Sequence, residues 1–545
     1  MRPVNGSGPP SGTKIPRLVF WAGASTGIVC FLYYYANQLT LAHYDAKAHM
    51  LVARRIVDSL EPGYAQMGVN WLPLIHLVYL PFVVFDSQYR SGILPSLISV
   101  VSFALSGWLA YRISFRVTGS VAAGIFAAAV LLANPNLQYL QSCPLTEPLY
   151  MALFLLAVDS LIVWRDSGET TLPWMAAIWT ALGAFCRYEG WYFLAGVLLL
   201  LAYDFWTRYM PRRRAVRAGA VFLGVFSIPA VLHFGYIWLR LGDNFFNRVA
   251  AGHPDPYLTY KRPVLSLIYH LAELTQMAAI IPLSMAAVGL LILLCRRGGF
   301  RSRAPLLLLW IPSLINISAL YWGLVYRLRY SVLLLPAVAV FCSLALKSDE
   351  AKQRTLILLL GVAAALPWMS WYFLRVHSDA TLVPGPGALL VPATGLVLFL
   401  IARARRQYYG ALLALCVLGM QWPPLARENR PMMAETLEHA FIEPEQQAVL
   451  QYLQKNYDGR RILIDMGKLA PLVYDSGLAA KEYIYNEGSG KLWHEALQNP
   501  ERVVGWLCAQ KGDDVWGRLQ VDPRWADGYA LVLNTEYFSL YRLKH

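Results

Sequence analysis

Apolar runs long enough to cross a bilayer recur along this 545-residue chain, and the short loops between them alternate between basic and non-basic. That alternation constrains the fold more than any single motif. A span needs about 20 apolar residues, and on that criterion the sequence predicts about 13 spans. Their centres fall near Gly27, Val101, Phe126, Leu155, Ile178, Leu199, Ile228, Ala286, Ile311, Ala337, Gly361, Thr394 and Leu413. With the N-terminus inside, Lys14/Arg17, Arg112/Arg116, Arg165, Arg208 to Arg217, Arg296 to Arg303, Lys347 to Arg354 and Arg403 to Arg406 all fall in inner loops. This matches the excess of Lys and Arg on the cytoplasmic side of membrane proteins. The run Trp71 to Phe85 has only 15 residues and contains Pro73, His76 and Pro81. We read it as interfacial or re-entrant, because counting it as a span would invert every later loop. The parity puts the N-terminus in the cytoplasm and the C-terminus outside, with the chain integral to a cell inner membrane.

Composition agrees with a polytopic protein. The chain is 57% hydrophobic and 15% charged, where soluble domains carry roughly 25% charge. Its net charge of +14 resides in the alternate loops, so no nucleic-acid partner is expected. Seven Cys at 30, 143, 186, 295, 342, 416 and 508 show neither metal spacing nor a disulfide framework. Cys143 and Cys186 both fall near the outer surface, where a bridge can be drawn but has no other support. Three regions follow: a disordered cytoplasmic N-terminus (1–17), a transmembrane domain (18–425) and an extracytoplasmic α/β domain (426–545). In the last, Pro444–Tyr457 has helical periodicity and a helix begins at Trp493–Leu497. Arg461–Asp465, Lys481–Tyr485, Tyr529–Leu533 and Ser539–Leu543 read as strands. The expected fold class is an all-α polytopic membrane domain plus a small C-terminal α/β soluble domain.

Polar residues of catalytic type gather in the outer loops. Asp45 lies in the segment His43 to His76, just after the first span, where a carboxylate can act as general base toward a hydroxyl. A helix cap, or a partner for Lys47 or Arg54, is the competing reading. His43 and His49 flank it and can tune it, bind phosphate, or simply pack. Glu147 sits in PLTEPLY, where Thr146 reads as an N-cap with Glu147 in the first helical turn. The nearby Asn134, Asn136, Gln138 and Gln141 suit a sugar through amide hydrogen bonds. Arg187 and Glu189 in CRYEGW can pair with each other, or line a pocket with Tyr188 and Trp191. The loop 243–262 offers Asp243, Asn244, His253, Asp255, Lys261 and Arg262 as a cover for substrate, or as plain turn chemistry. Arg327, Arg329 and Tyr330 stand at the outer end of another span, where an arginine fork can grip a lipid phosphate or snorkel to headgroups. No Walker loop, GxSxG, HExxH or DxD-type motif appears, so any energy must arrive in an activated substrate.

The layout resembles the GT-C superfamily of polytopic glycosyltransferases, which includes protein O-mannosyltransferases and aminoarabinose transferases. The resemblance rests on Asp45 after the first span, Thr146-Glu147-Pro148-Leu149 opening a later one, Arg187-Tyr188-Glu189-Gly190-Trp191, and Arg329-Tyr330 before Pro336, over roughly residues 18–425. It implies a polyprenyl-phosphate monosaccharide donor and an acceptor hydroxyl on a glycan, lipid or protein. It further implies inverting transfer with Asp45 as base. The leaving phosphate would be held by Arg327 or Arg329, with help from Arg187 or Lys261. Glu147, Glu189, Tyr330 and His49 would complete the substrate site. The family often has a second acid beside the first; here Ala46 stands there, so no cofactor is expected and a divalent cation has no support. The competing functions are a transporter or flippase, which would predict polar residues at mid-membrane and internal repeats, and a ligase or polymerase of lipid-linked glycans.

Overall fold

The structure, a computed structural model, describes residues 14–167, 171–242, 258–278, 280–295, 300–324, 326–346, 435–436, 443–487 and 490–544. The expected spans near Gly361, Thr394 and Leu413 lie outside those residues, as do Asp243, Asn244, His253 and Asp255. In chain order the membrane part comprises α1 (Ile15–Ala36), α2 (Tyr44–Arg55), α3 (Pro73–Val83), α4 (Asp86–Ser91), α5 (Ile93–Thr118), α6 (Val121–Leu132) and α7 (Pro135–Leu140). It continues with α8 (Thr146–Asp166), α9 (Trp174–Cys186), α10 (Glu189–Thr207), α11 (Arg212–Leu241), α12 (Pro263–Ala278), α13 (Ile280–Cys295), α14 (Phe300–Arg303), α15 (Ile311–Trp322) and α16 (Leu335–Leu346).

Among the described residues seven helical stretches are long and apolar enough to cross a membrane: α1, α5, α8, α10, α11, Phe300–Trp322 and Leu328–Ala345. The pair α12 and α13, bent by 115°, makes an eighth if taken as one span. The expected spans near Phe126 and Ile178 form the shorter helices α6 and α9, each cut off by the polar segment that follows it. Trp71–Phe85 yields only the 11-residue α3, about 16 Å long at 1.5 Å per residue, too short for the roughly 30 Å hydrocarbon core.

Helices α5, α6, α8 and α16 form the centre of the bundle, where Phe103, Leu131, Leu155, Val158 and Phe341 are all buried. Gly289 on α13 allows the closest crossing: a Cβ there would lie 1.9 Å from the carbonyl oxygen of Phe341 on α16. Any side chain would push the two helices apart.

The C-terminal part follows the expected alternation. Helix α17 (Glu443–Asn456) leads to β1 (Ile462–Ile464), α18 (Met466–Asp475), β2 (Tyr483–Tyr485), α19 (Gly490–Gln498), β3 (Trp506–Gln510), α20 (Asp514–Val521), β4 (Tyr529–Asn534) and β5 (Phe538–Leu543). The sheet order is β2-β1-β3-β5-β4, with β1 parallel to β2 and β3, and β5 antiparallel to β3 and β4. Strand β3, central and apolar, was not expected; neither were α18 and α20. A short buried run such as WLCAQ has no alternation to mark it as a strand.

Helix α2 joins the two parts. His43 caps it through Nδ1, with Asp45 in its first turn and Arg54 and Arg55 in its last, the polarity that the helix dipole favours. Ala48 and Leu51 enter the core of the C-terminal sheet, while Met50 and Ala53 pack with α3. Lys47 Nζ bonds Asp475 Oδ2 at 2.6 Å and Arg55 Nη2 bonds Glu487 Oε2 at 2.8 Å. Two basic residues of α2 therefore pair with the C-terminal domain. Arg54 instead turns to Asp58 and to the Val83 carbonyl on α3.

Candidate active site

Four sequence-separated elements meet beside the start of α2. The first turn of α2 carries Asp45, and neither Lys47 nor Arg54 is its partner. Its Oδ2 instead accepts from Nη2 of Arg329 in the 3-10 turn Leu328–Leu334. Arg329 Nε lies 3.0 Å from Glu147 Oε1, at the start of α8. The same oxygen accepts from Arg187 Nη1 at 2.7 Å. Arg187 also forks onto Glu189, with Nη2–Oε1 at 2.7 Å and Nε–Oε2 at 3.1 Å. Glu147 thus bridges the two arginines, and the Tyr330 ring lies 4.9 Å from the Arg187 guanidinium and 5.5 Å from that of Arg329. Arg187 and Glu189 are thus paired with each other, and through Arg187 the pair joins the charged cluster around Glu147.

Local sequence explains the placement. Gly190 opens α10 so close to the end of α9 that a Cβ would sit 2.4 Å from the Ala184 nitrogen. Only glycine permits that hairpin, and the hairpin aims Arg187 back at α8. In the YRLRY turn, alternate residues separate: Arg329 is buried, whereas Arg327 is half-buried at the turn's start. Thr146 does not cap α8; Leu145 holds that position, and the Thr146 hydroxyl accepts from Arg187 Nη1 at 2.7 Å. The arginine competes for the hydroxyl and wins because it brings a charge.

The carboxylates are deeply set. Side-chain exposure is 15% for Asp45, 1% for Glu147 and 8% for Glu189. Burial pushes the Asp45 carboxyl up, but the charge of Arg329, with His43 and His49, outweighs it and holds the carboxyl well below the usual carboxylate range. His49, one turn further along α2, is pushed down to about 4 by burial and is neutral near pH 7. Its Nδ1 lies 3.1 Å from His76 Nε2, and its ring is edge-on to Trp71.

Other candidates are placed elsewhere. The amides of the 134–141 segment are consumed by main chain: Asn134 Nδ2 donates to Met277 O, Gln138 Nε2 to Leu132 O and Gln141 Nε2 to Gly27 O. This segment is an internal brace, its amide N–H groups donating to main-chain carbonyls. Lys261 lies over the Tyr260 ring at 5.1 Å, before α12; no described contact ties it to the Asp45 cluster. Cys143 and Cys186 are free thiols. Ala46 is fully buried, so the position after Asp45 supplies no carboxylate. Two participants were not anticipated: Glu435, whose Oε2 accepts from the Arg329 backbone N–H at 3.0 Å, and His76. Nothing in the sequence around either residue points to the site.

Comparison with solved structures bears on the fold. The crystal structure of ArnT from Cupriavidus metallidurans bound to undecaprenyl phosphate matches with a TM-score of 0.56, covering 97% of this chain and 98% of that one at 15% identity. The chain has the ArnT fold. The apo ArnT structure from the same organism matches with a TM-score of 0.55 at 15% identity, over 94% of this chain and 97% of that one. No protein-family model matches the chain, and no curated protein does. The ArnT likeness therefore lies in the architecture, over nearly the whole of both chains, and at 15% identity it shows the fold.

Proposed function

We propose that this protein is a membrane glycosyltransferase of the GT-C type. It moves a monosaccharide from a polyprenyl-phosphate donor to an acceptor hydroxyl on the extracytoplasmic side, with inversion. The observation that carries the reading is the convergence of Asp45, Glu147, Arg187, Glu189 and Arg329 on one face of a bundle whose ArnT counterpart was crystallised with undecaprenyl phosphate.

In this reading Asp45 takes the proton from the acceptor hydroxyl as its oxygen attacks the anomeric carbon. The bond from that carbon to the phosphate oxygen breaks, and the charge left on the lipid phosphate is met by Arg329. Preorganised charge of this kind is usually the largest catalytic contribution. Glu147, between Arg329 and Arg187, keeps both guanidiniums oriented. Tyr330 supplies the flat face beneath them. The C-terminal domain, held by α2 itself, would position the acceptor next to Asp45.

The test is Asp45→Asn in the purified protein with polyprenyl-phosphate sugars and a mixed acceptor pool. Sugar transfer should fall to background while the variant stays folded and inserted. Full transfer by that variant would remove Asp45 from the base role. A transport reading would instead survive if the protein moved lipid-linked sugar between leaflets of sealed vesicles without forming any glycosylated product.

A further inference from the structure

Arg329 has a feature that gripping Asp45 does not explain. Its backbone N–H, its guanidinium and the His43 ring together surround one point, and that point holds the Glu435 carboxylate. Glu435 Oε2 accepts from the Arg329 N–H at 3.0 Å. Its Oε1 lies 3.7 Å from Arg329 Nε and 3.6 Å from His43 Nε2. The side chain is only 9% exposed, and Oε1 is buried without a hydrogen bond.

The His43 ring adds to the case. Its Nδ1 accepts from the Asp45 N–H at 3.0 Å, so in the neutral ring the proton sits on Nε2. That Nε2 lies 2.7 Å from Arg329 Nη1, which places two donors side by side. An anion lying against both relieves the conflict. Glu435 does so incompletely, since a planar carboxylate spends one oxygen on the backbone N–H and leaves the other beyond hydrogen-bond range. A tetrahedral phosphate has further oxygens to give.

We infer that the Arg329 N–H, the Arg329 guanidinium and His43 form the subsite for the donor's phosphate, and that Glu435 occupies it as an internal competitor until a phosphate displaces it. The inference rests on the proposed function above and deepens it. It makes His43 a phosphate-binding residue. It also ties donor binding to Glu435, which precedes α17 in the chain.

The test measures binding of farnesyl phosphate to the full-length protein in detergent, with farnesol as the uncharged control. Glu435→Gln, and Glu435→Ala in parallel, should bind farnesyl phosphate roughly tenfold more tightly than wild type, the scale of one charge-assisted hydrogen bond no longer surrendered. Farnesol binding should be unchanged. His43→Asn keeps an acceptor for the helix cap but loses the Nε2 donor; it should weaken farnesyl phosphate binding and cancel part of the gain in the double variant. If wild type binds the phosphate and both Glu435 variants bind it no better, the competitor idea is wrong while the donor reading stands. If wild type and variants alike fail to prefer farnesyl phosphate over farnesol, the phosphate-donor reading falls with it.

Discussion

Replacing Arg329 by methionine tests the electrostatics of the site most directly. Methionine fills much of the arginine stem's volume and removes only the charged fork. Two large opposing influences act on Asp45: burial, which raises its pKa, and the Arg329 charge, the largest of those that lower it. An opposite charge at hydrogen-bond distance lowers a carboxyl by about 1–3 pH units. Without it the largest influence opposing burial is gone, so the Asp45 pKa should rise by about two units, or about 2.7 kcal/mol at 1.36 kcal/mol per unit. The sign for stability follows from the same shift. A folded-state pKa below the unfolded value means that the Asp45–Arg329 pair stabilises the protein above the ordinary carboxylate pKa, and that this is lost as the pH falls toward the depressed value. The assay is kcat/KM for sugar transfer against pH, which reports the free enzyme. Wild type should hold its activity to low pH until other groups intervene, and Arg329→Met should show an acid limb displaced upward. A variant with measurable turnover and an unmoved acid limb would refute the claim that Arg329 holds Asp45 ionised.

Arg187→Lys keeps a charge but loses the fork that spans Glu147 and Glu189, so it should lower the unfolding midpoint and turnover, and less than Arg187→Ala does. At the far ends of α8 and α10, Arg165 and Asp204 form a fully buried two-bond pair. Asp204→Asn should cost on the order of 3–5 kcal/mol in a thermal or denaturant melt, as broken buried pairs do, with the pH profile of transfer unchanged. Lys47→Met removes a partly exposed pair with Asp475; a melt should change by no more than about 1 kcal/mol, and a larger loss would mean that this contact anchors the C-terminal domain.

That polar residues of catalytic type interrupt the apolar runs at Asp45, Glu147, Arg187, Glu189 and Arg329 was readable from apolar length and charge, which need no knowledge of packing. Individual roles were less accessible. Thr146 has the sequence of a cap, yet Arg187 takes its hydroxyl. Asn134 and Gln141 have side chains suited to a sugar, yet they are turned inward to free carbonyls, because a buried carbonyl without a donor is costly. The partners of Lys47 and Arg55, Asp475 and Glu487, were not legible because they lie more than 400 residues away.

By itself the sequence determined that this is an apolar helical bundle followed by a small α/β part, since apolar length and strand pattern are local properties. It also determined which residue types stand at the bundle's polar face. The tertiary structure decided that Asp45, Glu147, Arg187, Glu189 and Arg329 form one charged knot, and that Glu435 joins it. The reason is physical: an ion pair depends on where distant segments meet in space, and Glu435 has no local pattern that announces its arginine.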